Sequence, residues 1–182
     1  ASLSREEHDF PITFVSRGMD NTDRRVLDDK PVSPAFLFAV LLWEPVRRHS
    51  VVLERADQSP SAAVQQAGSE VLARQQDHVA IPKRFAIQMR EIWGMQHRFD
   101  GRKGKRPFRL LTHPRFRAAY DFLLLRAESG EVDSELADWW TQFQAVNGEE
   151  RGQMTQSEGS RRRRRRGRGG RKNTVTPAGD GT

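Results

Sequence analysis

Apolar residues along this chain recur at three- and four-residue spacings, and nowhere does an apolar–polar alternation persist, so the pattern predicts helices and no strands. Residues 1–22 show no sustained period and read as an arm, with "TDRRVLDDK" as a helical turn capped by Thr22 or Asp23. Ser33 before Pro34 marks a helix start, because proline at the first helical position gives up an N–H that would have no partner anyway. From Ala35 to Trp43 every side of that helix is apolar, which predicts a central core helix that Pro45 ends or kinks. "RRHSVVLERA" fits either a short helix or an extended segment. The Ala-, Gln- and Glu-rich run beginning near Ser61 reads as a helix capped by Ser59 or Ser61.

The clearest periodicity lies in "IPKRFAIQMREIWGMQHRFDG". Phe85, Met89, Ile92, Gln96 and Phe99 share one helical face, while Lys83, Arg84, Arg90, His97 and Arg98 cluster behind it. A basic loop is expected from Gly101 to Pro107. "HPRFRAAYDFLLLRAE" then opens on a Thr112/His113 cap and Pro114, with Phe116, Tyr120, Leu123 and Ala127 at heptad spacing. Arg115 and Arg117 fall in its first turn, where cations oppose the helix dipole and a phosphate would relieve them. "DSELADWWTQFQAV" is the last expected helix, with Leu136, Trp139, Trp140, Phe143 and Val146 inward. Trp93, Trp139 and Trp140 are expected in the core, with Trp140 or Trp93 left at the surface, since one helix face cannot hide adjacent tryptophans equally. Asn147-Gly148 reads as a helix stop. The expected organisation is all-α: an arm over 1–21, a helical body over 22–146 and a disordered Arg-rich tail over 147–182.

Charge changes this picture of a plain helical domain. Residues 1–160 hold 22 Lys/Arg and 23 Asp/Glu, whereas 161–182 hold nine Lys/Arg and one Asp, so the net charge of +7 belongs to the tail. Within the neutral body, residues 83–117 carry eleven cations against Glu91 and Asp100. Such polarisation suits a polyanion docking in one orientation. A solvated helix exterior is the competing reading for Lys83, Arg84, Arg90 and Arg98. The seven cations of 101–117 have no carboxylate among them, which favours binding there. The run Arg161, Arg162, Arg163, Arg164, Arg165 and Arg166, continued by Arg168, Arg171 and Lys172, resembles disordered Arg/Gly tails that hold single-stranded RNA. An acidic protein partner is the alternative occupant.

Other chemistries find little support. There is no cysteine, so disulfides and thiolate metal sites are excluded. The longest apolar run, Pro34 to Trp43, is too short for the roughly 20 residues a membrane span needs. The first ten residues show no signal-peptide pattern, so the cytoplasm is the expected location. The five histidines are scattered, and no nucleophile elbow, P-loop or dinucleotide fingerprint occurs. Asp20/Asp23 and Asp28/Asp29 read as solvated caps. No catalytic residue and no metal ligand is assigned.

The blocks "IPKRFAIQMREIWGMQHRF", "GRKGKRPFRLL", "HPRFRAAYDFLLLRAE" and "LADWWTQFQ", in that order before an Arg-rich end, resemble the C-terminal part of the bacterial poly(A) polymerase I family. These are polynucleotide adenylyltransferases of the class II nucleotidyltransferase superfamily. The upstream "TDRRVLDDKPVSPAFLFAVLLWEPV" is similar to that family's helical body. The Asp-x-Asp metal pair of the family's catalytic head does not occur in this sequence. The resemblance therefore implies the helical body of a class II nucleotidyltransferase that binds RNA 3′ ends for a separate head, with ATP and Mg²⁺ serving the full-length enzyme and no cofactor in this chain. It implies RNA-backbone contacts at Lys83, Arg84, Arg90, Arg98, Arg102 and Lys103, and at Lys105, Arg106, Arg109, Arg115 and Arg117. Single-stranded RNA, the head and RNA-processing proteins are the implied partners. A stand-alone module associated with nucleoid or ribosome, and a body fragment of a tRNA nucleotidyltransferase, are the alternatives.

Overall fold

The computed structural model describes residues 13–23, 27 and 33–156. All regular structure among these residues is helical. Residues 13–23 (α1) are followed by α2 (Pro34–Leu41), α3 (Trp43–Arg55), α4 (Pro60–Gln76) and α5 (Lys83–Gln96). A 3₁₀ turn (His97–Asp100) leads to α6 (Arg106–Leu111), α7 (Phe116–Glu128), α8 (Ser134–Ala145) and α9 (Gly148–Met154). None of the described helices is long and apolar enough to cross a membrane.

Local chemistry explains most boundaries. Ser59 caps α4 by accepting the Ala62 N–H, with Pro60 at the first position. Asp133 does the same for α8 through Glu135. The break between α2 and α3 falls at Leu42, because Pro45 has no N–H for the Leu41 carbonyl four residues back. The stretch "RRHSVVLERA" resolves as the body of α3.

Several expectations are corrected. Residues 13–21 are helical rather than an irregular arm: Phe14 is buried, and Gly18 lets α1 approach α2 so closely that a Cβ there would sit 2.6 Å from Val40 Cγ1. Helix α2 is not buried all round. Ala35, Ala39 and Val40 face inward while Leu41 is 43% exposed. The basic loop ends at Lys105, since α6 begins at Arg106 and buries Pro107 and Leu110. The cap of α7 is Arg115, not Thr112 or His113. Asn147 does follow the end of α8, but it also starts α9 through a capping box with Glu150.

Two apolar clusters make up the interior. The first joins α1–α4 to Met89, Ile92 and Trp93 of α5, and to Phe122 and Leu125 of α7. Phe122 meets Phe14, Phe36 and Trp43 edge-on at 5.3, 6.1 and 5.3 Å. The second gathers Met95, Phe99, Leu110, Phe116, Tyr120, Leu123, Trp140 and Phe143. Helices α5 and α7 belong to both, so they are the common wall that fixes one cluster against the other. Trp93 and Trp140 are fully buried, and their indole N–H groups donate to Ala39 O and Phe99 O. The surface tryptophan is Trp139, half-buried and stacked on Phe143 at 4.9 Å.

Candidate nucleic-acid interface

Helix α5 is the spine of the basic surface. Its inner face buries Met89, Ile92 and Gln96, which leaves Lys83, Arg84 and Arg90 exposed on the other side. His97 departs from that pattern. It is half-buried, and burial first, then the Arg126 guanidinium, holds its pKa below the ordinary imidazole value. Arg84 lies over the Phe85 ring at 4.9 Å. The cations are spread rather than gathered: Lys83 and Gln96 bound a helix of about 20 Å, so Lys83 and Arg84 sit at the end far from Arg98.

Beyond Asp100 the chain turns through Gly104, whose φ of +68° lies in the left-handed region that glycine adopts without strain. The Gly104 N–H donates to Thr155 O at 2.9 Å, tying this turn to the end of α9. Arg151 secures α9 in turn, donating to the Phe143 and Gln144 carbonyls at the end of α8. Lys103, Lys105, Arg106 and Arg109 are exposed, and none has an acid partner among the described residues.

Three of the expected contacts are engaged by acids. Arg102 pairs with Glu135 at 2.9 Å, Arg115 with Glu91 at 3.3 Å and Arg117 with Asp121 at 3.0 Å. Arg117 also lines a separate groove between α1 and α7 with Arg17, Asp20, Asp121 and Glu128. The two arginines at the start of α7 therefore have their dipole cost offset by carboxylates. The cations of the tail, Arg161–Arg166, Arg168, Arg171 and Lys172, lie outside the described residues.

A groove of about 380 Å³ between α4 and α5 holds Arg90 and Arg98 together with Ser61, Gln65, Ser69 and His113. Sequence reasoning singled out the arginines and missed the uncharged residues. Ser61, Gln65 and Ser69 stand four apart on α4, a spacing that puts them on one face, but nothing in a charge pattern draws attention to them. His113 Nδ1 accepts the Arg115 N–H at 3.1 Å, so the neutral ring carries its proton on Nε2. Among the described residues no group of three His, Asp or Glu side chains is placed to hold a metal ion together.

Over residues 56–173 the sequence matches a family model described as the polymerase A arginine-rich C-terminus. It is 36% identical over 160 residues to a poly(A) polymerase I of Haemophilus influenzae, an alignment covering 87% of this chain and 35% of that protein. It is 40% identical over 144 residues to a poly(A) polymerase I of Escherichia coli O157:H7, covering 76% and 31%. Against a poly(A) polymerase I of Salmonella typhi it is 38% identical over 135 residues, covering 72% and 29%. The chain thus spans about a third of the length of these curated relatives.

Proposed function

Because this chain belongs to the polymerase A arginine-rich C-terminus family, we propose that it is the RNA-holding part of a poly(A) polymerase, gripping single-stranded RNA near its 3′ end while a nucleotidyltransferase head adds AMP from ATP. The observation that supports this most directly is the hydrogen bond from Gly104 to Thr155. It sets the end of α9 beside the turn that carries Lys103 and Lys105 and leads into Arg106. Arg161 follows Gln156 by five positions, at most about 18 Å of extended chain. That tether is short enough for the arginine run and the body's exposed cations to serve the same phosphate backbone. Arginine suits that role because its planar fork binds phosphate in pairs of hydrogen bonds and stacks on unpaired bases. ATP and Mg²⁺ serve the head. The described residues supply no step of the transfer itself, and their part is to bind and orient the strand.

The test is a titration of 5′-labelled single-stranded RNA by fluorescence anisotropy at several salt concentrations. Six tail cations on phosphates correspond to a slope of log K against log salt of roughly −4 for a single strand. Deleting residues 161–172 should weaken binding to RNA of any sequence and flatten that slope. Combined reversal of Lys105, Arg106 and Arg109 to Glu should weaken what remains. A slope near zero in the intact chain refutes the proposal. With ATP and Mg²⁺ added, the chain by itself should leave RNA unextended, and measurable extension would overturn the division of labour.

A further inference from the structure

The α4–α5 groove contains more than a phosphate grip needs. Along α4 its wall is neutral: Ser61, Gln65 and Ser69. The Gln65 side-chain amide is exposed and has no hydrogen-bond partner among the described residues, and the exposed Ser69 Oγ donates to Gln65 O and accepts from none of them. Across from Gln65 lies Gly94, in the last turn of α5. A glycine there weakens the helix relative to alanine, and the protein's own packing does not demand it. The nearest atoms to a Cβ at Gly94 would be Gln65 Nε2 at 3.9 Å and Gln65 Cγ at 4.0 Å, an ordinary contact. Gly68 on the facing helix is the contrast, because a Cβ there would meet the Trp93 ring at 2.9 Å. Gly68 is required by the fold, while Gly94 only keeps the groove open.

The two helices run antiparallel, since Gln65 faces Gly94 while Gly68 faces Trp93. Ser69 therefore lies toward Arg90, and Ser61 toward Arg98. A cation stands at each end with neutral donors and acceptors between them. Among the described residues Glu91 is the one carboxylate lining the groove, and it is paired with Arg115. Exposed Ile87 adds an apolar surface on the α5 side.

We propose that this groove seats one ribonucleoside of the bound strand, with Gly94 as the floor that admits it, Gln65 and Ser69 engaging its 2′-hydroxyl, and Arg90 and Arg98 taking the flanking phosphates. A phosphate needs only the cations. A 2′-hydroxyl both donates and accepts, and it is the group by which a protein tells RNA from DNA. This reading rests on the RNA-holding role proposed above, and it assigns the ribose preference to one place on the body.

The experiment titrates the full chain and two variants, Gly94→Ala and Gln65→Ala, with labelled oligoriboadenylate and oligodeoxyadenylate of about 15 nucleotides, near the upper site size of a single-strand module. Each variant is also melted. Gly94→Ala should melt at or above the parent temperature yet bind RNA roughly tenfold more weakly, a loss in the range of one base or sugar contact. Its salt slope should stay the same, because the phosphate contacts remain. Gln65→Ala should bring RNA affinity down toward that for DNA. If both variants hold RNA as the parent does, or lose RNA and DNA equally, the groove is not a ribose site. Should the parent chain bind neither polymer, the RNA-holding role fails and the groove assignment with it, whereas parent binding with unaltered variants removes the groove assignment alone.

Discussion

Glu131→Gln probes a buried network that joins the two clusters. Glu131 Oε1 accepts from Arg126 Nη2 at 2.9 Å and Glu131 Oε2 from Trp43 Nε1 at 2.8 Å. The other Arg126 amino group donates to Gln96 Oε1 at 3.2 Å, and the guanidinium lies 5.1 Å from the Trp43 ring. Gln96, fully buried, completes the chain by donating to Ile92 O and Ala119 O. The pair is nearly dry, with side-chain exposures of 13% for Arg126 and 9% for Glu131. Among the described residues Arg126 Nε already has no partner, so the substitution leaves an unanswered cation in a low-dielectric site. Removing one partner of a buried ion pair costs about 3–5 kcal/mol, and the residual exposure points to the lower end. At roughly 3–4 °C per kcal/mol for a domain of this size, the melting midpoint should fall by about 10 °C. Urea unfolding followed by far-UV circular dichroism measures the cost directly, and a reduced m-value would show the clusters unfolding separately. The companion Arg126→Met removes the cation. In the double variant the costs should be sub-additive by roughly 2 kcal/mol, because neither charge is then stranded. Fully additive single costs, or a Glu131→Gln shift under about 3 °C, would refute the reasoning.

Three further outcomes are expected. Gly68→Ala should destabilise by about 1–3 kcal/mol in a thermal melt, since Trp93 is fully buried, hydrogen-bonded to Ala39 O and cannot yield to a new methyl group. Asn147→Ala removes the side chain that accepts the Glu149 and Glu150 N–H groups, so α9 should lose about 1 kcal/mol, read as faster amide exchange at Arg151 and at Gly104, whose acceptor it positions. His97 gives the protein a pH dependence: the unfolded chain takes up a proton near the ordinary value of 6.5 before the folded one does, so stability is complete above that value and declines as the pH falls toward the depressed folded pKa. His97→Phe should flatten the fall in melting temperature between about pH 7 and pH 5, a window spanning that ordinary imidazole value.

Helix type and the starts of α2, α4, α5 and α8 were legible because they depend on neighbours in sequence. Ser59-Pro60 and the period of Phe85 to Phe99 declare themselves within a few residues. What was missed lacks a full local period. Helix α6 has six residues, and α9 has no buried face of its own but is held by a capping box and by Arg151 on the end of α8. The choice of Trp140 over Trp139 for the interior follows from Phe99 supplying a carbonyl for its indole N–H, a partner 41 residues away.

The same division runs through the candidate interface. The chain's own order of residues determined the number of cations, the basic back of α5 and the arginine tail, since helical period and charge are local properties. Only the tertiary structure decided which cations meet acids: Arg117 and Asp121 are one helical turn apart, but Arg115 finds Glu91 from 24 positions away and Arg102 finds Glu135 from 33. It also set α4 against α5, where Gln65 faces Gly94 across a groove that no run of adjacent residues contains. The physical reason is that apolar burial sets helix against helix without regard to polar residues, and the polar groups that come face to face are those the packing leaves at the seam.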